Sequence, residues 1–286
     1  MNLHTVNTGH FKLDGGAMFG VVPKSIWNNI NPADENNMCS WALRCLLIED
    51  GNRLILVDNG MGNKQDAKFF SYYYMHGNDT LDGSLAKLGF HRDDITDVFL
   101  THLHFDHCGG AVIKEGDKLL PAFKNASYWS NEKHWDWAVH PNEREKASFL
   151  KENILPIKES GQLQFINAPD QTGETLASAN FNENISVRFV NGHTEKMMLP
   201  QISYRGKTIV FMADLLPSAG HIPLPYVMAY DMFPLTTLKE KKSFLTESAA
   251  NDYVLFFEHD PLIECCTVAM TEKGIRMKEK FLLKEV

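Results

Sequence analysis

The stretch THLHFDHCGG, residues 101–110, sets three histidines and an aspartate within the six positions from His102 to His107 and closes on two glycines. The short apolar run DVFL just before it reads as a strand, so the motif begins on a loop at a strand's C-terminal end. His102 and His104 are two apart. On extended backbone they project from one face, and the loop can turn Asp106 and His107 back toward them. That arrangement makes a metal-binding cup. Imidazole nitrogen and carboxylate oxygen suit zinc, manganese or iron, whereas an all-oxygen set suits magnesium or calcium. A lone histidine is more often a hydrogen-bonded or solvent-facing side chain. Three beside an aspartate weaken that reading severely.

Working outward, three further ligand types fall at the ends of expected strands: His193 after SVRFV, Asp214 closing TIVFMAD and His259 closing DYVLFFEHD. Loop positions of this kind are where sheet-borne sites gather. Upstream, LHTVNTGHF, ALRCLLIED and NRLILVDNG read as strands, with a hairpin at Asp50-Gly51. Helices are expected over KQDAKFFSYYYMHG, TLDGSLAKLGF, PNEREKASFLKEN and TLKEKKSFLTESAA, and further strands over NASYWS and QISYR. The polar stretch NAPDQTGETLASANFNEN, 167–184, reads as an exposed loop or hairpin. No linker and no repeat divides the chain, so a single layered α/β domain over 1–286 is expected.

The 286 residues, 44% apolar, can bury a substantial core. The net charge is -8 and the 28 basic residues are scattered, which disfavours a nucleic-acid partner. No apolar run approaches the roughly 20 residues a spanning helix needs, and the first residues lack a basic segment followed by an apolar one. No membrane association and a cytoplasmic location are expected. The five cysteines, two of them adjacent at 265 and 266, read as reduced thiols and not as a disulfide framework.

Taken in series, LTHLHFDHCGG, GHT, FMAD and EHD resemble the ligand motifs of the metallo-β-lactamase-fold hydrolases, over most of the chain. LILVDNGMG is similar to the strand and Asp-containing loop under the metal site of that superfamily. The resemblance implies a four-layer αββα sandwich of two mixed sheets flanked by helices. The 86-residue gap from His107 to His193 implies an insert around 111–185. By the same resemblance His102, His104 and His193 hold one ion, Asp106, His107 and His259 a second, and Asp214 bridges them. Zinc is the expected metal, with manganese or iron as alternatives. Two ions about 3.5–4 Å apart can share a hydroxide that is nucleophilic near neutral pH. Asp106 can additionally orient it or pass on its proton. Asp58, on LVDNG, reads as a turn residue or as an acceptor that orients a ligand histidine; the resemblance favours the acceptor.

Departures narrow the branch. Class B β-lactamases carry cysteine where this chain has Asp214. Flavodiiron proteins carry glutamate where it has His104. Ribonuclease Z relatives act on RNA, which the acidic balance disfavours. Glyoxalase II adds a C-terminal helical region for which the 27 residues after His259 are too few. What remains resembles the N-acyl homoserine lactone lactonases and methyl parathion hydrolases, which share HLHFDH. The expected activity is hydrolysis of a small, largely apolar lactone or ester, with phosphotriesters as the alternative and a non-catalytic metal-binding protein as a further one. Lactonases place a tyrosine three residues after the bridging aspartate; here that position is Pro217. His221 and Tyr226 are the candidate substitutes, and ordinary loop packing explains them equally well. Met18, Phe19, Trp135 and Trp137 fit a pocket wall, the core or a homodimer contact alike. Cys108 reads as a small buried residue beside the two glycines.

Overall fold

The computed structural model describes residues 1–170 and 176–286. Its chain divides into two compact units: Met1–His10 with Leu43–Asn167, and Phe11–Ala42 with Ala168–Val286. The strands in chain order are β1 (Asn2–Asp14), β2 (Met38–Asp50), β3 (Arg53–Val57), β4 (Asp97–Phe99), β5 (Val112–Glu115), β6 (Lys118–Pro121), β7 (Ser127–Ser130) and β8 (Leu163–Phe165). They continue with β9 (Ser178–Asn180), β10 (Ile185–Val190), β11 (Met197–Tyr204), β12 (Lys207–Phe211), β13 (Val254–Phe256), β14 (Cys265–Thr271) and β15 (Gly274–Phe281).

The first unit is built on a sheet of order β1-β2-β3-β4-β7-β8, with β5 and β6 as a separate hairpin. β2 and β3 pair antiparallel through the Asp50-Gly51 turn, where Gly51 takes φ 62°, a region only glycine enters without strain. From β3 to β8 the pairing is parallel, so the sheet is mixed. Buried Leu54, Leu56 and Val98 from the sheet meet Leu81 and Leu85 of the helix Leu81–Lys87, together with Ile154 and Ile157 of the helix Lys151–Glu159. β4 ends at Phe99, which delivers the histidine motif to the C-terminal edge of parallel strands.

The second unit carries a sheet of order β15-β14-β13-β12-β11-β10-β9, antiparallel except between β12 and β13. The helix Pro234–Ala250 packs on β14 and β15 and buries Phe244 and Leu245. Proline at its first turn costs no hydrogen bond.

Local differences from the sequence reading have identifiable causes. The helix expected over 64–77 is confined to Ala67–Tyr73: Asp66 caps it by accepting the Phe69 N–H, and Tyr74 ends it at φ 45°. Within PNEREKASFLKEN, residues 141–150 form turns instead of the expected helix, because the Asn142 carboxamide oxygen accepts the backbone N–H groups of Arg144 and Glu145. The helix starts only at Lys151. The helix Glu132–Val139, capped by Asn131, and strands β14 and β15 were not anticipated. In the polar stretch 167–184, residues 178–180 form β9, and 171–175 lie outside the described residues. Among the described residues no helix is long and apolar enough to cross a membrane.

Candidate metal centre

In the first unit, His102, His104, Asp106 and His107 are all buried around the short helix Phe105–Cys108. Asp58, at φ 55° directly after β3, organises them. One of its carboxylate oxygens accepts the Thr101 N–H (2.8 Å); the other accepts the Thr101 hydroxyl (2.6 Å) and faces His107 Nδ1 at 3.0 Å. A carboxylate accepts only, so the His107 proton sits on Nδ1 and its Nε2 lone pair is presented elsewhere. Asp106 Oδ2 lies 3.8 Å from that Nε2.

The same accounting fixes the other two rings. The Thr101 hydroxyl proton goes to Asp58, so Thr101 Oγ1 accepts from His102 Nδ1 at 3.1 Å. Glu145 Oε1 accepts from His104 Nε2 at 3.0 Å. Two lone pairs, His102 Nε2 and His104 Nδ1, therefore face each other at 3.1 Å. That approach is repulsive unless a proton or a metal ion lies between them. Two imidazoles on one tetrahedral ion, with bonds of about 2.0–2.1 Å, stand roughly 3.3 Å apart. The pair fits a divalent transition metal.

In the second unit His193, Asp214 and His259 come together. Asp231 Oδ1 accepts from His193 Nδ1 (2.9 Å) and the Ala42 carbonyl accepts from His259 Nδ1 (2.8 Å), so both rings again present Nε2. Those nitrogens face different oxygens of Asp214: His193 Nε2 lies 3.1 Å from Oδ2, and His259 Nε2 lies 3.3 Å from Oδ1. Burial disfavours a charged His193 ring, yet the carboxylates of Asp214 and Asp231 outweigh it and push the ring up to about 10. Ala213, just before Asp214, sits at φ 39°, a left-handed strain of about 1–2 kcal/mol for a residue with a Cβ. Glu240, on the helix Pro234–Ala250, accepts the Asn191 and Gly192 N–H groups (2.8 and 2.9 Å) and so anchors the turn that delivers His193.

The candidate substrate contacts are placed differently. His221 is buried and stacks on Phe19 at 4.6 Å. Its Nε2 donates to the Met18 carbonyl (2.9 Å), and its Nδ1 accepts from the Ser218 hydroxyl (2.8 Å). Burial holds the ring down to about 3, so it is neutral. Tyr226 is half-buried with its ring edge-on to Phe19, and its carbonyl accepts from Lys241 Nζ at 2.7 Å. Met18 and Phe19 are buried in the second unit, and Trp135 is buried in the first; Trp137 donates its indole N–H to Glu145. Cys108 is buried, and burial pushes its thiol up to about 12. It is inert packing, as expected.

The sequence reading missed Asp231, Glu145, Thr101 and His134. Each acts through its hydrogen bond to a candidate ligand or its neighbour and carries no ligand spacing of its own. Asp231 stands 38 residues from His193, and only the fold joins them.

Residues 44–259 match the model of the metallo-β-lactamase superfamily. Among curated proteins, the N-acyl homoserine lactonase AiiA of Bacillus thuringiensis subsp. kurstaki is 28% identical over 142 residues, covering 46% of this chain and 50% of that protein. An N-acyl homoserine lactonase of a Bacillus species is 27% identical over the same share. The chain thus spans about half the length of the curated relatives it matches. Among solved structures, a probable metal-dependent hydrolase from Staphylococcus aureus superposes with a TM-score of 0.87 at 26% identity, covering 100% of this chain and 98% of that one. AidC, a dizinc quorum-quenching lactonase, gives a TM-score of 0.77 at 22% identity over 98% and 95% of the two chains and shares the fold. Two mixed sheets with flanking helices, the two donor clusters and a family match over most of the sequence agree: the chain belongs to the metallo-β-lactamase superfamily.

Proposed function

We propose that this protein is a metal-dependent hydrolase of a small, largely apolar lactone or ester. In this reading His102, His104 and His193 would hold one divalent ion and Asp106, His107 and His259 a second, with Asp214 as a ligand available to both. The observation that carries it is Asp214: each of its oxygens faces the Nε2 of a different histidine whose Nδ1 is committed elsewhere. Closed structural zinc sites favour cysteine, whereas this donor set is entirely nitrogen and oxygen. Zinc fits it, and manganese or iron fit as well.

The ions supply Lewis acidity and activated water near neutral pH. The chain's own groups do the rest. Asp106, besides its place in the ligand set, would take up a proton and pass it to the leaving group. Asp58 and Asp231 fix His107 and His193 with Nε2 outward. Because both His221 ring nitrogens are engaged, Tyr226 is the donor assigned here to the substrate carbonyl, in place of the tyrosine that Pro217 replaces. The relatives named as lactonases support a lactone over a phosphotriester.

The test is metal content together with proton release from an acyl homoserine lactone, measured for the wild type and for His102→Ala and Asp214→Ala. The expected outcome is about two ions per chain and lactone turnover, with activity in each variant reduced by about a hundredfold or more and metal content lowered. Full activity in both variants overturns the ligand assignment. Turnover of a phosphotriester or simple ester but no lactone moves the substrate class while leaving the metal centre standing.

A further inference from the structure

Three consecutive residues of the histidine motif are held by one downstream stretch, residues 131–149. His134 accepts the Leu103 N–H at Nε2 (2.9 Å), Glu145 accepts the His104 Nε2–H (3.0 Å), and the Ser148 carbonyl accepts the Phe105 N–H (3.0 Å). The Phe149 ring lies 4.8 Å from that of His104. Glu145 is only 1% exposed, and burying a carboxylate is costly unless its oxygens are bonded. They are: Oε1 takes His104, and Oε2 takes the Trp137 indole N–H (2.6 Å) and the Asn142 amide (3.3 Å). Packing alone does not call for an ionisable group here. A leucine of similar length would fill the space without the desolvation cost.

The geometry points to Glu145 as a positioning residue that fixes which nitrogen of His104 meets the metal. With the proton held on Nε2 by Glu145, only Nδ1 can ligate, and Nδ1 is the atom 3.1 Å from His102 Nε2. Without Glu145 the ring would be free to take the other tautomer or to rotate, and the two lone pairs would no longer converge. The stretch 131–149, through Trp137 and Glu145, thereby sets the affinity of the ion that His102 and His104 share. This assignment rests on the metal reading above and adds to it a residue outside the histidine series.

The test is zinc affinity of the full chain, by chelator competition, for the wild type, Glu145→Leu, Glu145→Gln and Trp137→Phe. It is joined by long-range 15N–1H NMR of the zinc-loaded, histidine-labelled wild type and Leu variant. Partners of ligating histidines are typically worth about 10- to 100-fold in affinity, so Glu145→Leu is expected to weaken zinc by at least about tenfold. Glu145→Gln keeps an acceptor and should stay within about threefold of wild type, with Trp137→Phe between the two. The wild-type spectrum should contain a ring protonated on Nε2 and metal-bound at Nδ1 that the Leu variant lacks, a signature a merely structural role would not move. Wild-type affinity and an unchanged ring pattern in Glu145→Leu overturn the assignment. Should that variant fail to fold, Trp137→Phe decides: several-fold weaker zinc supports the positioning role, and unchanged zinc refutes it. A wild type that binds no zinc removes the metal reading itself, and this inference with it.

Discussion

Asp97, the first residue of β4, shows how the first unit is fixed at the start of the strand that leads into the histidine motif. Its carboxylate takes two guanidinium nitrogens of Arg53 (2.6 and 3.0 Å), the Trp129 indole N–H (2.7 Å) and the Thr96 hydroxyl (2.6 Å). Burial alone would raise its pKa. The Arg53 pair and the two neutral donors reverse that and hold the carboxyl below the ordinary value. A depressed folded-state value means the ionised form is favoured by folding, so this stabilisation is present above about pH 4 and is lost as pH falls through the folded value. Asp97→Asn should therefore cost about 2 kcal/mol at pH 7, less than a fully buried pair because Arg53 is half-exposed. The cost should shrink toward zero in acid. Urea unfolding at pH 7 and pH 3 checks this; an equal loss at both would show that shape, and not charge, holds the site.

At the scale of elements, the helix Pro234–Ala250 acts as a two-sided anchor. Adjacent residues grip two loops: Glu240 holds the Asn191 and Gly192 amides, while Lys241 Nζ donates to the carbonyls of Pro223, Leu224 and Tyr226 (3.2, 3.4 and 2.7 Å). Gly192 touches Thr237 so closely that an added Cβ would stand 2.4 Å from the Thr237 backbone nitrogen. Burial draws Lys241 down to about 7, yet three carbonyls need its protons. Lys241→Met should cost about 2–3 kcal/mol, because buried acceptors lose their donor. In the proposed reading the KM of the hydrolysed substrate should rise more than metal affinity falls, since the loop it frees carries Tyr226 and no assigned ligand. Equal effects on both would mean the helix serves the metal ligands alone.

These anchors also mark what the sequence could reveal. The hairpin at Asp50-Gly51 and the helix over TLKEKKSFLTESAA follow from local chemistry and stood in the sequence plainly, although the helix starts three residues earlier, at Pro234. The histidines were legible because metal binding demands several of one residue type at short spacing. Residues 141–150 were not. Their composition favours a helix, but Asn142 turns the backbone and Glu145 finds His104, a tertiary bond that no local pattern encodes. Asp231 was invisible for the same reason, being one carboxylate among many until the fold sets it against His193. Strands β14 and β15 follow the last motif residue, where no ligand directed attention to them.

For the whole molecule the consequence is that folding and metal binding are linked. The native chain brings two imidazole nitrogens to 3.1 Å in one unit and sets two imidazole Nε2 atoms against a single carboxylate in the other, and an unfolded chain has neither arrangement. A ligand that binds only the native state stabilises it by RT ln(1 + [L]/Kd), or about 4 kcal/mol when free metal stands a thousandfold above Kd. For a chain of this size each kcal/mol shifts Tm by roughly 2–4 °C, so stripping the bound divalent metal with a chelator should lower Tm by about 10 °C. Adding back a divalent transition metal such as zinc should return it. Asp214→Ala should already melt near the stripped wild type and respond little to either treatment, because the two histidines no longer face a shared carboxylate. Scanning calorimetry of both proteins, with and without chelator, tests this. A wild-type Tm indifferent to chelation would mean that the donors' close approach is tolerated without an ion, and the argument from facing lone pairs would fail at its base.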